Sequence, residues 1–193
     1  MTIKQKLSAD DMLQAEFDYI ANTAFQANED RSRVTSFYFI SAGSLVAAIL
    51  GSQFAEAQVQ SVSFAFFLLF FVLTLMGALT IAQLARLRAA WHESIEAMNK
   101  IKDYYIKENP EIASAFKWRI KSIPPTDKPF SIANLMAIEV ALLGALTTGA
   151  SVYFLINFIG NINSIGWALI ALSFFSGYIA QWKWYKYLLV DNQ

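Results

Sequence analysis

The stretch VSFAFFLLFFVLTLMGALTIAQLA, from Val62 to Ala85, decides the fold of this chain. It contains no charged residue, and it is longer than the roughly 20 apolar residues needed to cross a hydrocarbon core about 30 Å thick. Without a proline it continues into RLRAAWHESIEAMNKIKDYYIKE, residues 86–108, where charges return and apolar residues keep a helical spacing. The pattern predicts one long helix whose first half lies in lipid and whose second half extends into water as a stalk.

The composition also indicates a membrane protein. Of the 193 residues, 56% are hydrophobic, 15% aromatic and only 16% charged. Fifteen basic and fifteen acidic residues cancel, so the chain has no net charge to attract a nucleic acid, and none is expected as a partner. The absence of cysteine excludes a thiol nucleophile, a disulfide and a zinc–thiolate site.

The apolar segments predict an all-α integral membrane protein with four transmembrane helices in two hairpins. The expected spans cover residues of about 34–54, 62–85, 131–158 and 165–181. These spans divide the chain into four parts. They are a cytoplasmic amphipathic helix (1–33), a first hairpin (34–85), a stalk with a short amphipathic helix and a proline-rich linker (86–130), and a second hairpin with an aromatic tail (131–193).

The basic residues predict the orientation of the spans. The N-terminal segment contains four of the fifteen, the middle segment nine and the C-terminal tail two, which leaves none for the other two connections. The positive-inside rule then places both termini and the stalk in the cytoplasm of a multi-pass protein, which we expect in the bacterial inner, or plasma, membrane. Residues 1–33 lack the apolar run of a removable signal peptide, so the first span is expected to act as the targeting signal.

Two spans contain small residues at intervals of four, which allow another helix to approach closely. We predict that these strips are helix-packing faces. The strip of the first span is Gly43, Ala47 and Gly51, and that of the third is Ala137, Ala141, Ala145 and Gly149.

The stalk has an apolar seam with alternating steps of three and four residues, interrupted only by Ser94. The amphipathic pattern of the N-terminal segment, which includes Phe17 and Ile20, is a suitable partner for it, and an external protein is the alternative. The residues of the seam are Leu84, Leu87, Trp91, Met98, Ile101 and Tyr105.

Basic and aromatic residues alternate after the stalk and after the fourth span, as at a membrane surface. We predict contact with lipid headgroups there, although the first group could also be a simple linker. The predicted surface residues are Lys117, Trp118, Arg119, Lys121, Trp182 and Trp184.

Glu139 is the only Asp, Glu, Lys, Arg or His residue well inside a predicted span. A charge at the centre of a bilayer costs about 2.5–3.5 kcal/mol, so such residues usually face protein or water. Glu139 could be a packing residue paired with Gln83, Thr80 or Arg86, it could carry an ion or proton, or it could lie near water.

The sequence contains no recognisable catalytic set. His92, the single histidine, lies beside Glu93 in a pattern that matches neither a zinc-protease motif nor a di-iron bundle. There is no glycine-rich phosphate loop and no nucleophile elbow. We therefore expect a protein that is not an enzyme and binds no metal or cofactor; an enzyme acting on lipid is the third hypothesis.

The segments LARLRAAW (84–91) and AMNKIKDYY (97–105), followed by Pro110, resemble a recurring signature of small uncharacterised bacterial four-span membrane proteins. The arrangement of residues 34–108 is also loosely similar to the SLATT class of predicted pore-forming effectors, which typically have two spans. The resemblance implies a fold and no functional residues.

Together these patterns predict a non-enzymatic membrane protein that self-associates or binds a partner through its small-residue faces and its stalk. A pore-forming or membrane-effector role would be compatible with that assembly. The alternative is a small ion channel or an ion-coupled transporter that uses Glu139.

Overall fold

The computed structural model describes residues 8–51 and 59–190. Within these ranges the protein contains four α-helices, two short 3-10 turns and no β-strand. The helices are α1 (Ala9–Gly51), α2 (Val59–Glu108), α3 (Ile132–Ile159) and α4 (Ser164–Val190), and all four are long and apolar enough to cross a membrane. The predicted all-α class and the four spans are confirmed. The predicted end of the first span at Phe54 lies outside the described residues, as do Lys4 and Lys6, two of the four basic residues of the N-terminal segment.

Two of the helices are much longer than a bilayer is thick. α1 has 43 residues and α2 has 50, which correspond to about 65 and 75 Å at the usual helical rise. The amphipathic N-terminal segment and the first span are therefore one continuous helix. α2 runs through the predicted span into the stalk without a break, as the Val62–Glu108 pattern predicts.

Local sequence explains where the helices begin. Ser8 and Asp11 form a reciprocal cap on α1, because the Asp11 amide donates to Ser8 Oγ (3.1 Å) and the Ser8 amide donates to Asp11 Oδ2 (3.3 Å). Ser131 caps α3 in a similar way and accepts a hydrogen bond from the Asn134 amide at 3.3 Å.

The segment between α2 and α3 differs from the predicted short amphipathic helix. It contains two 3-10 turns, Pro110–Ala115 and Ile120–Ser122, and its backbone is extended at Phe116 and Arg119. From Phe116 to Lys121 apolar and basic residues alternate with a period of two, which fits an extended chain better than a helix.

The helices share two hydrophobic cores. The larger one lies among the membrane helices, where Tyr38 of α1, Ile81 of α2, Val140 of α3 and Tyr185 of α4 are almost fully buried. α3 packs mainly on α2 and α4, whereas α1 packs mainly on α2. The smaller core joins the N-terminal half of α1 to the stalk. The stalk extends from one end of the membrane helices, and we call that end the stalk end.

Candidate functional site: the outer membrane face and the stalk end

The small-residue strip of α3 lies inside the protein. Ala137, Ala141 and Ala145 are fully buried, and Gly149 is buried where a Cβ atom would lie 3.6 Å from Cβ of Phe174 on α4. This strip is therefore occupied by contacts within a single chain.

Glycine also lets α2 approach α1 and α3 closely. A Cβ atom added at Gly77 would lie 2.5 Å from Oη of Tyr38 and 3.5 Å from Cα of Gly144. One helical turn away, Thr74 Oγ1 donates a hydrogen bond of 3.1 Å to Thr147 Oγ1, which links α2 to α3. Three helices thus meet here without room for a methyl group.

The small-residue strip of α1 has the opposite environment. Gly43, Ala47 and Gly51 are exposed, and a Cβ atom at either glycine would meet nothing within 4 Å. The other side of α1, with Tyr38 and Ala42, faces the core. The α1 strip therefore faces outward from the protein.

Glu139 also faces outward. Its side chain is exposed, as are Leu135, Leu142 and Leu146 on the same helix. Within residues 8–51 and 59–190 it forms no hydrogen bond or ion pair, so it is not paired with Gln83, Thr80 or Arg86. A carboxylate within a predicted span thus lies on the outer surface of the protein.

The stalk seam is largely covered by α1. Met98 is buried against Ile20 and Ala24, with Trp91 and Ile101 packed around them. Farther along, Tyr105 Oη donates a hydrogen bond of 3.3 Å to Asp10. At the membrane side of the seam Leu84 is almost fully buried in the larger core, and Leu87 is half-buried. α1 thus occupies the seam within the same chain.

Two arginines are buried just outside the apolar segments, at the stalk end. Arg31 of α1 and Arg88 of α2 are each only 6% exposed. Arg88 donates from Nε to the Thr126 carbonyl (3.0 Å) and from Nη2 to the Pro125 carbonyl (3.3 Å), and its guanidinium lies 4.6 Å from the Trp91 ring centroid. Arg31 Nη2 donates to the Asn28 side chain. Arg88 therefore fixes the segment after the stalk against α2.

Burial lowers the pKa of both guanidinium groups, and repulsion by Arg88 lowers the pKa of Arg31 further. Burial also raises the pKa of Tyr185, and the positive charges of Arg88 and Arg31 lower it by a smaller amount. Because an arginine starts from a very high pKa, the pair remains cationic at neutral pH beside a neutral phenol.

The two arginines entered the sequence interpretation only as charges that set the orientation. A signal for Arg31 was nevertheless present in the spacing. It continues a stripe with steps of three and four along α1, every member of which is buried. The stripe is Ile20, Ala24, Ala27, Arg31, Thr35, Tyr38 and Ala42.

The predicted membrane-surface residues have mixed environments. Lys117 and Lys121 are exposed, and Trp118 is 48% exposed beside the Lys117 ammonium group. Arg119 pairs with Asp103 of the stalk at 3.1 Å. Trp182 is half-buried and stacks on Tyr185, whereas Trp184 is exposed.

Among the residues that the structure describes, no three histidine, cysteine, aspartate or glutamate side chains come together as a metal-binding group. His92 is half-buried on the stalk.

No family model matches the chain, and the searches of curated proteins and of solved structures also return no match. The fold therefore supports an integral membrane protein with four helical spans, while the resemblance to one family has no support beyond that architecture.

Proposed function

We propose that this protein is a non-enzymatic membrane assembly protein that self-associates through the outward strip of α1. The observation that carries the proposal is the contrast between the two small-residue strips. The strip of α3 is filled by α2 and α4, whereas Gly43, Ala47 and Gly51 have an open surface in front of them. A second copy of the chain is the partner we assign to that surface.

The physical basis is the way in which helices associate in lipid. Lipid tails are as apolar as leucine, so association depends on close van der Waals contact, which small residues permit. The outward carboxylate of Glu139 gives a second reason for assembly. A charge facing hydrocarbon is costly, and a neighbouring protein surface or a water-filled space between copies would reduce that cost.

A role of Glu139 in ion or proton passage also depends on assembly. Because Glu139 lies on the outer surface of a single chain, a path that uses it would have to form between copies. A pore-forming or effector role has the same requirement. Self-association is thus the common first step of these more specific functions.

We propose that the stalk and both termini are cytoplasmic and that the protein resides in the inner membrane. The support is the asymmetry of the basic residues, since the connections at the far end contain none. Asn161, between α3 and α4, and Lys107, near the end of α2, are exposed at opposite ends of the protein. In the cysteine-free chain, labelling of Lys107→Cys from outside intact cells by an impermeant reagent would contradict this orientation.

Disulfide cross-linking in native membranes tests self-association. Ala47→Cys should give a covalent dimer on oxidation, because the strip brings two copies of α1 into contact. Val46→Cys is the matched control, since Val46 is exposed at the same depth but points about 100° away around the helix. We expect at least fivefold less dimer from the control.

The effect of side-chain bulk gives a second readout. Gly43→Leu, introduced together with Ala47→Cys, should reduce the dimer severalfold because it prevents close approach, while Val46→Leu should not. Equal cross-linking at positions 46 and 47, or none at 47, would refute self-association through this strip.

A further inference from the structure

A groove lies on the outer surface of the membrane helices, between α1 and α2 at the stalk end. Its volume is about 390 Å³, within the range of small-molecule sites. Phe37 and Leu79 on its two walls are 64% and 65% exposed, so the groove opens outward. The residues of its lining are Arg33, Val34 and Phe37 of α1 and Met76, Leu79, Thr80 and Gln83 of α2.

Most of the groove lies at the depth of the lipid tails. Apart from Arg33, every residue of its lining belongs to the predicted spans 34–54 and 62–85. Arg33 is the residue just before the first of these spans, so the end of the groove beside it reaches the level of the lipid headgroups. The lining contains no carboxylate. A mostly apolar groove that ends beside a cation matches the polarity of a phospholipid, which has a hydrocarbon chain at one end and a phosphate at the other.

A second arginine lies at the headgroup end of the groove. Arg86 is the residue just after the second predicted span, and it follows Leu79 by seven residues, which places both on the same side of α2. The side chain of Arg86 is exposed and forms no ion pair or hydrogen bond with any residue of 8–51 or 59–190. At the stalk end, each of the two helices of the groove therefore has an exposed arginine just outside its span.

The two exposed arginines also lie at about the same depth. α1 enters the membrane from the stalk end and α2 leaves it there, so the two helices are antiparallel. The buried Arg31 and Arg88 lie close enough across these helices for their charges to repel each other. Arg33 and Arg86 are each two residues nearer to the far end. Two residues correspond to about 3 Å along a helix and about 200° around it, so the exposed pair shares one depth and lies on the other side of the helices from the buried pair.

The charge that remains at this end of the groove is positive. Arg33 Nη1 lies 3.4 Å from Asp30 Oδ1, but the two side chains are 76% and 33% exposed, and ion pairs of this kind contribute little. Glu29 lies one turn farther from the membrane than Arg33. Two guanidinium groups and one nearby carboxylate therefore leave about one net positive charge at the level of the headgroups. Guanidinium groups bind phosphate through parallel N–H donors.

We propose that the groove binds one anionic phospholipid, with an acyl chain against the mostly apolar lining and the headgroup phosphate between Arg33 and Arg86. A zwitterionic lipid has an ammonium group in addition to its phosphate, and repulsion of that ammonium group lowers its attraction to the two arginines. The groove involves residues 33–37 of α1, whereas the α1 strip begins at Gly43. The site therefore does not depend on self-association.

The test compares phosphatidylglycerol, which is anionic, with phosphatidylcholine, which is zwitterionic, and both lipids have identical acyl chains. The full chain is purified in a neutral detergent and each lipid is titrated into it. Native mass spectrometry measures the fraction of the protein that carries one lipid. We expect phosphatidylglycerol to bind about fivefold more tightly, the difference expected for one net basic residue at a lipid surface.

Arg33→Gln together with Arg86→Gln should reduce that preference to about a factor of two or less, because the two cations are lost. Both arginines are exposed, so folding should be unaffected. The matched control is Lys183→Gln together with Lys186→Gln, which removes two cations from α4 at the same end of the protein. The control should keep the native preference, since these lysines lie outside the groove.

A second pair of variants tests the position of the acyl chain. Leu79→Trp fills the groove with an indole ring and should weaken the binding of both lipids roughly threefold or more, because the ring occupies the space of the chain. Leu172→Trp on α4 is the matched control. Leu172 is also 65% exposed, and its replacement should leave the binding of both lipids unchanged.

The proposal fails if the native protein binds both lipids equally. It also fails if the lysine variant loses the preference as fully as the arginine variant, which would mean a general attraction of the basic surface for anionic lipid. A third contradicting result is a covalent dimer of Leu79→Cys in native membranes, formed as efficiently as that of Ala47→Cys, because a second copy of the chain would then cover the groove.

Discussion

α1 and α3 contain small residues at the same spacing, yet the two strips lie in opposite surroundings. Ala137, Ala141 and Ala145 of α3 are fully buried between other helices, whereas Gly43 and Ala47 of α1 are exposed. The difference arises from position, because α3 packs against two helices along its length and α1 packs mainly against one. A small-residue strip therefore permits close packing, but its sequence does not show whether another helix of the same chain occupies it.

The largest expected difference between the strips concerns added bulk. Ala141→Leu forces a larger side chain into a fully buried position and should lower the free energy of unfolding by about 3 kcal/mol. Ala47→Leu should leave the stability of the isolated chain within about 0.5 kcal/mol, since surface substitutions have small effects. Denaturant titration in mild detergent measures both. Equal losses in the two variants would mean that the strips do not differ in packing.

A smaller difference in stability is expected between the loss of a buried arginine and the loss of an exposed one. Arg88→Ala removes two hydrogen bonds to backbone carbonyls and should make opening of residues 120–128 easier by about 2 kcal/mol. Arg33→Ala removes only an exposed pair with Asp30 at 3.4 Å, and we expect a change below about 0.5 kcal/mol. Hydrogen exchange of that segment distinguishes the two. Unchanged protection in Arg88→Ala would show that other contacts fix the segment.

The smallest contrast compares two glycines. Gly77→Ala places a methyl group against Tyr38 and should destabilise the protein by about 1 kcal/mol, a balance between crowding and the better helix propensity of alanine. Gly43→Ala meets nothing within 4 Å and should be neutral or slightly stabilising. Thermal unfolding followed by circular dichroism is sufficient. A greater loss for Gly43→Ala would reverse the assignment of inner and outer faces.

The fold could be predicted because its main signals are local. The uncharged run from Val62 to Ala85 and the helix formers after it define α2 without knowledge of any neighbour. Helix starts at Ser8 and Ser131 follow from capping chemistry in the same way. The alternation of apolar and basic residues from Phe116 to Lys121, which is typical of an extended chain, was also visible in the sequence. Asn109-Pro110 just before it, however, predicts the start of a helix, so the two signals disagree.

The candidate sites could be predicted only in part, because they depend on contacts between distant segments. Arg33 and Phe37 line a groove only because Leu79 of another helix lies beside them. Similarly, Arg88 becomes a structural anchor only through carbonyl groups 37 and 38 residues later in the chain. The outward direction of Glu139, by contrast, could have been predicted, because Glu139 lies two residues from Ala137 and from Ala141 and therefore on the opposite side of α3 from the small-residue strip.

Because α2 is one unbroken helix, a tilt of its first half would also move its second half. From Ala85 to Glu108 the helix extends about 35 Å at the usual rise, so a 10° change in its inclination to the bilayer would displace the far tip by about 6 Å. Helices change inclination when bilayer thickness changes. Because no proline lies between the two halves of α2, a change in the inclination of its first half would displace its far end by about this amount.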